Sequence, residues 1–475
     1  MIESISRGAF AHFARAAKEA PAVSCSVFWR PEFMLSLPLK YRRILSLALP
    51  IIGGMLSQNV LNLVDTLMVG QLGYEALAAV GAAGFVQFTC TAFITGLATG
   101  VQAIAARRLG EGRSSESAVP LNGGLVLSFL LGLPLTVGLF CFFPQIFGLV
   151  SQDPAVQQIA APYLQMRSLS VIFVAVNFSF RGFFNGIERS SVYFRTLVIM
   201  HTINVVLNWL LIFGHAGFPA MGATGAALAS SIAFAMGSAL YFLQAWNSAR
   251  SFGFMSRFPG RHELANILRL SVPTGLQQTF FALGMTVFFT LLGTVGTREV
   301  AASSVLVNLL LVVILPSIGF GLAAATLVSR SLGAGEKQEA RQWGNDVMRV
   351  ALIVMCALGA LGAAFPSFLL GPFLHDPETL QLAKTPLRMI ALSLPFDALG
   401  LVIMQALLGA GDNKRVMLIS TGLQWLLQLP AVWLVIHFFD AGLSLIWGVH
   451  FSYRAVQTFI LWMVWSGESW QTRRV

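Results

Sequence analysis

Apolar runs of about 20 residues recur along the whole of this 475-residue chain, broken by short clusters of Gly, Pro and charged residues. That pattern narrows the fold more than any other feature, because a helix needs about 20 mostly apolar residues to cross ~30 Å of hydrocarbon. The composition, 56% hydrophobic and 11% charged, is far from that of a soluble globular protein. A β-barrel would alternate residue by residue, and these runs do not. The chain reads as an all-α integral membrane protein, embedded in a lipid bilayer. Its twelve spans fall at about 44–68, 77–104, 119–142, 158–184, 192–213, 222–246, 266–292, 300–328, 346–370, 380–408, 415–437 and 443–465.

Lys and Arg sit between the runs and alternate from one end of the spans to the other. One end carries Arg107 and Arg108, Arg189, Arg250 and Arg257, Arg330 and Lys337, and Lys414 and Arg415, whereas the other carries little more than Arg298 and Lys384. The positive-inside rule then places both termini in the cytoplasm of a multi-pass protein. The net charge of +10 describes this topology, and no nucleic-acid partner is expected. Residues 1–40 read as a cytoplasmic extension, with Met34 as an alternative start, and residues 467–475 as a cytoplasmic tail. Cys25, Cys90, Cys141 and Cys356 lack metal or disulfide spacing, and the seven histidines lack an i, i+4 ligand pair. Neither a structural metal nor a cofactor is expected.

The chain repeats itself at an interval of 223 residues. Pro50 matches Pro273, Gly70 matches Gly293, Gly96 matches Gly319, Arg107 matches Arg330, and Leu109-Gly110-Glu111-Gly112 matches Leu332-Gly333-Ala334-Gly335. Asp153-Pro154 and Asp376-Pro377 keep the same interval. Two six-helix lobes follow, at 41–250 and 261–466, joined by a linker at 251–260. With an even number of spans each, they form parallel repeats about an axis near the membrane normal, the arrangement in which transporters hold substrate between halves.

Asp65, in Asn59-Val60-Leu61-Asn62-Leu63-Val64-Asp65-Thr66, lies deep in an apolar run, where a carboxylate costs roughly 2.5–3.5 kcal/mol on insertion scales. Such an acid is a functional group facing a cavity, or a polar contact to a neighbouring helix. Its repeat mate is Phe288, and the mate of Asp397 in the tenth span is Val174, so each half holds one deep acid of its own. Asn204 and Asn208 stand at i, i+4 on the fifth span, with His201 on nearly the same face, suited to meeting a carboxylate or a neighbouring helix. Asn177 on the fourth span is a candidate neighbour.

Phe281, Met285 and Phe288 share a face of the seventh span. Together with Gln58, Met68 and Gln278 they are candidates to line a substrate cavity, since aromatic faces attract cations and Met adapts its shape. Packing against lipid or neighbouring helices is the alternative for the apolar members. Pro50, about four turns before Asp65, bends the first span as a hinge or as a static kink. Arg181 is expected to snorkel towards the lipid headgroups.

At these residues the chain resembles the multidrug and toxic compound extrusion (MATE) family over residues 44 to 465. The resemblance is carried by Leu49-Pro50, Val64-Asp65-Thr66-Leu67-Met68-Val69-Gly70, Ala106-Arg107-Arg108-Leu109-Gly110-Glu111-Gly112, Asn204-x-x-x-Asn208-Trp209 and Phe396-Asp397-Ala398-Leu399. It implies a V-shaped pair of six-helix lobes, no catalytic residue, and export of amphipathic, often cationic small molecules from a bacterial inner membrane by a monomer, in exchange for inward H+ or Na+. Asp65 is similar to the family's first-helix acid, Asp397 to the tenth-helix acid of NorM-type members and Asn308 to their eighth-helix asparagine. Asn204 and Asn208 fall where the fifth helix completes the first-lobe cation site, and Asn62 joins the cavity candidates. Two positions depart from the pattern: Asn208 stands where DinF-type members often have Asp, and Phe281 where NorM-type members usually have Glu. The second departure makes the first lobe the preferred coupling site. Cation and substrate are expected to compete there for one charge.

A flippase for lipid-linked glycans is the alternative, and it would require a more strongly cationic cavity. A membrane enzyme would require an Asp-rich metal motif, a nucleophile with its base, or a phosphate-cradling loop, none of which the sequence displays.

Overall fold

The computed structural model describes residues 38–148, 154–371, 373–374, 376–438 and 442–473. Most of the N-terminal extension, residues 1–37, lies outside them, as do Asp153 of the repeated Asp-Pro pair and residues 474–475 of the tail. Among the described residues there is no strand. In chain order the main helices are α1 Leu39–Gly70, α2 Tyr74–Gly110, α3 Val119–Gly148, α4 Pro154–Ser168, α5 Val171–Gly186, α6 Ser190–Phe213, α7 Gly222–Ser248, α8 Arg261–Gly293, α9 Thr297–Gly333, α10 Lys337–Ala364, α11 Pro377–Ala410, α12 Asn413–Phe438 and α13 Leu443–Ser466. The first residues of α1 close on themselves, with Ser46 Oγ donating to Arg43 O at 3.0 Å.

Ten of these helices are long and apolar enough to cross a membrane, and α4 with α5 makes an eleventh. Two departures from the expected spans have local causes. The run at 158–184 is two helices bent by 47° around Leu169–Ser170. There the hydroxyls of Ser168 and Ser170 donate to the carbonyls of Gln165 and Arg167, both at 2.7 Å, offering the backbone an alternative to helical bonding. The twelfth expected span, α13, is 24 residues long but carries His450, Arg454 and Gln457 in its middle, and it is not among the apolar helices. Elsewhere the apolar surface faces outward as lipid requires: Phe129, Leu130, Leu133, Val137 and Phe142 on α3 are all exposed.

Contacts obey the sequence repeat. Ser190 Oγ donates to Leu47 O at 2.9 Å, and its mate Asn413 donates from Nδ2 to Leu270 O, the mate of Leu47, at 2.9 Å. Between the halves the relation is reciprocal. A side chain on Gly110 would run into the Arg330 carbonyl and one on Gly333 into the Arg107 carbonyl, and Gly96 and Gly319 lie in the same crossed fashion against Gly275 and Ile52. Small residues let helix backbones meet where lipid offers no hydrophobic drive to associate. Around them, Gln102 Nε2 donates to Leu322 O (2.9 Å), Ser329 Oγ to Ala103 O (2.8 Å), Thr326 Oγ1 to Asn185 O (3.1 Å), and Arg330 pairs with Glu188 at 2.5 Å. The halves are therefore joined at the end that bears the repeated basic loops.

Candidate functional site

Two polar places are built into this frame, one in the first half and one at the junction of both halves. In the first, the i, i+4 spacing on α6 turns Asn204 and Asn208 towards α1, where Asn208 Nδ2 donates to Asp65 Oδ1 at 2.6 Å and to Asn204 Oδ1 at 3.1 Å. Asn204 reaches on to Ser230 Oγ of α7 at 3.2 Å; with its amide turned, its nitrogen donates to Asp65 Oδ1 at 3.1 Å instead. Asn204 and Asn208 are buried, whereas Asp65 is half-buried. Arg167, whose guanidinium lies 5.4 Å over Phe234, is a positive charge acting on Asp65.

A polar chain leads back along α1 from this acid. His201 Nε2 donates to Gln58 Oε1 (3.1 Å), leaving Nδ1 to accept from the Ser57 hydroxyl (2.8 Å), and Gln58 Nε2 donates to Asn62 Oδ1 (3.1 Å). Asp65, Asn62, Gln58, His201, Asn204 and Asn208 thus form one neighbourhood. Asn177 is elsewhere: it donates to Phe234 O (3.2 Å) and accepts from Ser238 Oγ (2.8 Å), both on α7. Met68 packs against Val69, Ala76, Ile212 and Ala226 rather than lining a cavity. Pro50 sits buried within the unbroken α1.

The second place is a cavity of about 380 Å³ between the halves. Met55, Thr95, Thr99, Phe178 and Arg181 line it from the first half, and so do their repeat mates Gln278, Ile318, Leu322, Leu401 and Met404 from the second, so the cavity straddles the pseudo-twofold. Gln278, Phe281, Met285 and Phe288 line it as expected for their shared helix face, Phe288 being 2% exposed and held against Trp447 and His450. Asn308 is not among the lining residues; it is exposed and donates to Ser304 O of its own helix (2.8 Å). Asp65 is not among them either, because the α1 residue that reaches the cavity is Met55. Asp65 and the cavity are thus separate places in this arrangement.

Two corrections come from the cavity. Asp397, expected as a lone coupling acid, is 3% exposed and forms an ion pair with Arg454 of α13, with Ser393 Oγ donating to its other oxygen at 3.1 Å. Arg454 also donates from Nη1 to Gln457 Oε1 at 2.7 Å. Arg181 does not reach for headgroups; it lines the cavity, its guanidinium 4.9 Å over Phe178 and 5.8 Å over Tyr193. The deep charges at the junction are accordingly two arginines and one acid. Sequence reasoning missed His450 and Gln457 beside the in-helix charge of Arg454, although the i, i+4, i+7 spacing of the three in an otherwise apolar run was a visible signal. It also missed Gln424 and Gln428, which reach the cavity from a π-helical turn at Gln424–Gln428, a form common at functional sites. Among the described residues, no three His, Cys, Asp or Glu side chains converge as a metal ion would require.

A family profile described as MatE matches residues 50–210 and 273–434, one match in each half of the repeat and together more than half of the chain. The chain belongs to the MatE family. Among MatE relatives, a probable multidrug resistance protein NorM of Agrobacterium fabrum is 27% identical over 427 residues, covering 86% of this chain and 87% of the relative. A protein of the same description from Thermotoga maritima is 25% identical over 422 residues, covering 86% and 88%. The fold is shared with a solved MOP superfamily transporter from Pyrococcus furiosus (TM-score 0.84, 20% identity, covering 93% of this chain and 98% of that one). It is shared equally with a multidrug resistance MATE family transporter solved in an outward-facing conformation (TM-score 0.84, 20% identity, 92% and 97%). This MatE chain is a multi-pass membrane transporter and not an enzyme.

Proposed function

We propose that this MatE chain is a multidrug efflux antiporter of a bacterial inner membrane, exporting amphipathic organic compounds, cationic ones included, in exchange for inward H+ or Na+, with the proton preferred. The observation that carries the reading is Asp65, a half-buried carboxylate held by Asn208 at 2.6 Å on the same helix that supplies Met55 to the cavity wall. A carboxylate in a low-dielectric site accommodates a proton or a small cation, and the Asn204 and Asn208 amides fix its orientation. Asp65 and Met55 are ten residues apart, about 15 Å along a helix. Occupancy of the acid therefore acts on the cavity through α1 rather than through shared ligands. A ligand shifts a conformational equilibrium only by its differential affinity for the two states, so the bound cation must favour one orientation of the halves.

In this reading the lobes are 41–250 and 261–466, working as a monomer. The linker 251–260 and both termini are cytoplasmic, and the Gly110–Arg330 and Gly333–Arg107 contacts close the cytoplasmic side. Efflux of a fluorescent dye from everted vesicles or proteoliposomes, driven by imposed proton or sodium gradients, tests it. Asp65→Asn should fold and yet lose gradient-driven transport, and wild-type transport by that variant would remove Asp65 from the mechanism.

A further inference from the structure

The charges facing the central cavity are Arg181, Asp397 and Arg454, with His450 as a further titratable neighbour. Asp397 and Arg454 neutralise one another, and Ser393 and Gln457 occupy much of their remaining bonding capacity. Arg181 has no such partner. No carboxylate pairs with it among the described residues and its Nε is buried without a hydrogen bond; the aromatic faces of Phe178 and Tyr193 and the Tyr193 hydroxyl, all neutral, support its guanidinium while leaving its charge in place. Its repeat mate is Met404, which lines the opposite wall without a charge. The cavity thus carries a single uncompensated positive charge against a largely apolar wall that includes Phe281, Met285 and Phe288. A second observation points to a ligand. Gln277 is 7% exposed and lines the same cavity; its Nε2 meets the Met404 sulfur at 3.2 Å, while its Oε1 is buried with nothing to accept from. Buried acceptors of that kind are costly unless something completes them.

We propose that the cavity selects amphipathic organic compounds bearing an acidic group, as acids or zwitterions, with the acid on the Arg181 guanidinium and a hydrogen-bond donor of the same molecule on Gln277. Guanidinium suits this role because its planar donors match a carboxylate in pairs. The proposal rests on the efflux reading for its site and narrows the occupants of that site to compounds with an acidic group, cationic ones entering as zwitterions. A cavity of about 380 Å³ is within the range of drug-sized ligands.

The test uses the purified full-length protein in detergent and three fluorescent probes: dansylglycine, its neutral amide and the cationic dansylcadaverine. Wild type should bind dansylglycine at least ten-fold more tightly than the amide or the cation. Arg181→Gln should erase that preference and Arg181→Lys, which keeps the charge but not the paired donors, should keep part of it, with size-exclusion profiles confirming that both variants fold. Gln277→Leu should weaken dansylglycine while preserving the order of the three. Equal binding of all three probes by wild type, or an undiminished preference in Arg181→Gln, overturns the proposal. So does displacement of dansylglycine by added phosphatidylglycerol as readily as by unlabelled acid, since that would make Arg181 a lipid headgroup site. Binding is read without any gradient. Acid preference with no gradient-driven efflux therefore refutes the efflux reading alone, and efflux with no acid preference refutes this inference alone.

Discussion

Arg454 of α13 closes its guanidinium on the carboxylate of Asp397 in α11, and both side chains are largely shut away from solvent. The acid that the sequence offered as a second coupling group is thereby answered from within the protein. Removing one member of such a pair leaves an uncompensated buried charge, whereas removing both is far milder. Asp397→Asn is expected to cost about 3–5 kcal/mol of stability. The double variant Asp397→Asn, Arg454→Met should recover most of that, as read by melting of the purified protein.

Asp65 is expected to behave in the opposite way. It is half-buried and held by neutral amides, so Asp65→Asn should leave the melting temperature close to wild type while gradient-driven efflux disappears. Asn208→Leu is expected to lower transport without abolishing it, because the acid keeps its charge but loses the donor that aims it. Comparing melting and dye efflux for the two variants separates a coupling role from a packing role.

The crossed glycine contacts predict a steric effect on the junction. Gly110→Ala and Gly333→Ala each place a methyl against a backbone carbonyl of the other half, which cannot swing aside as a flexible side chain does. Overpacking of this kind costs roughly 1–3 kcal/mol. It should appear as a lower melting temperature, and as faster labelling of a cysteine introduced at Ser329, whose hydroxyl donates across the junction to Ala103 O.

A pH effect is expected at the start of α11, outside its apolar run. Asp376 caps that helix, accepting from the Thr379 hydroxyl at 2.5 Å and the Thr379 backbone N–H at 3.0 Å, and these bonds hold its carboxyl below the ordinary value. A depressed folded-state value means that the stabilisation is complete above the unfolded value, about 3.9, and is lost as the pH falls through the folded one. Amide exchange at residues 377–380, corrected for the intrinsic pH dependence of exchange, should show protection that weakens below about pH 4. Asp376→Ala should lack that weakening and be less protected at pH 6.

Much of this protein was legible in its sequence because the deciding forces are local. Hydrocarbon thickness sets the apolar runs, helix periodicity puts Asn204 and Asn208 on one face, and the interval of 223 residues announces two halves with matching contacts such as Ser190 to Leu47 and Asn413 to Leu270. What the sequence could not settle was the direction of its deep polar groups. Asn177 turns to α7 rather than to Asp65, Arg181 turns to the cavity rather than to the headgroups, and Asp397 meets an arginine 57 positions away. Each of those outcomes depends on which helix stands opposite in a bundle of near-equivalent apolar surfaces. In such a setting a buried charge goes wherever its complement happens to be, and only the tertiary structure decides where that is.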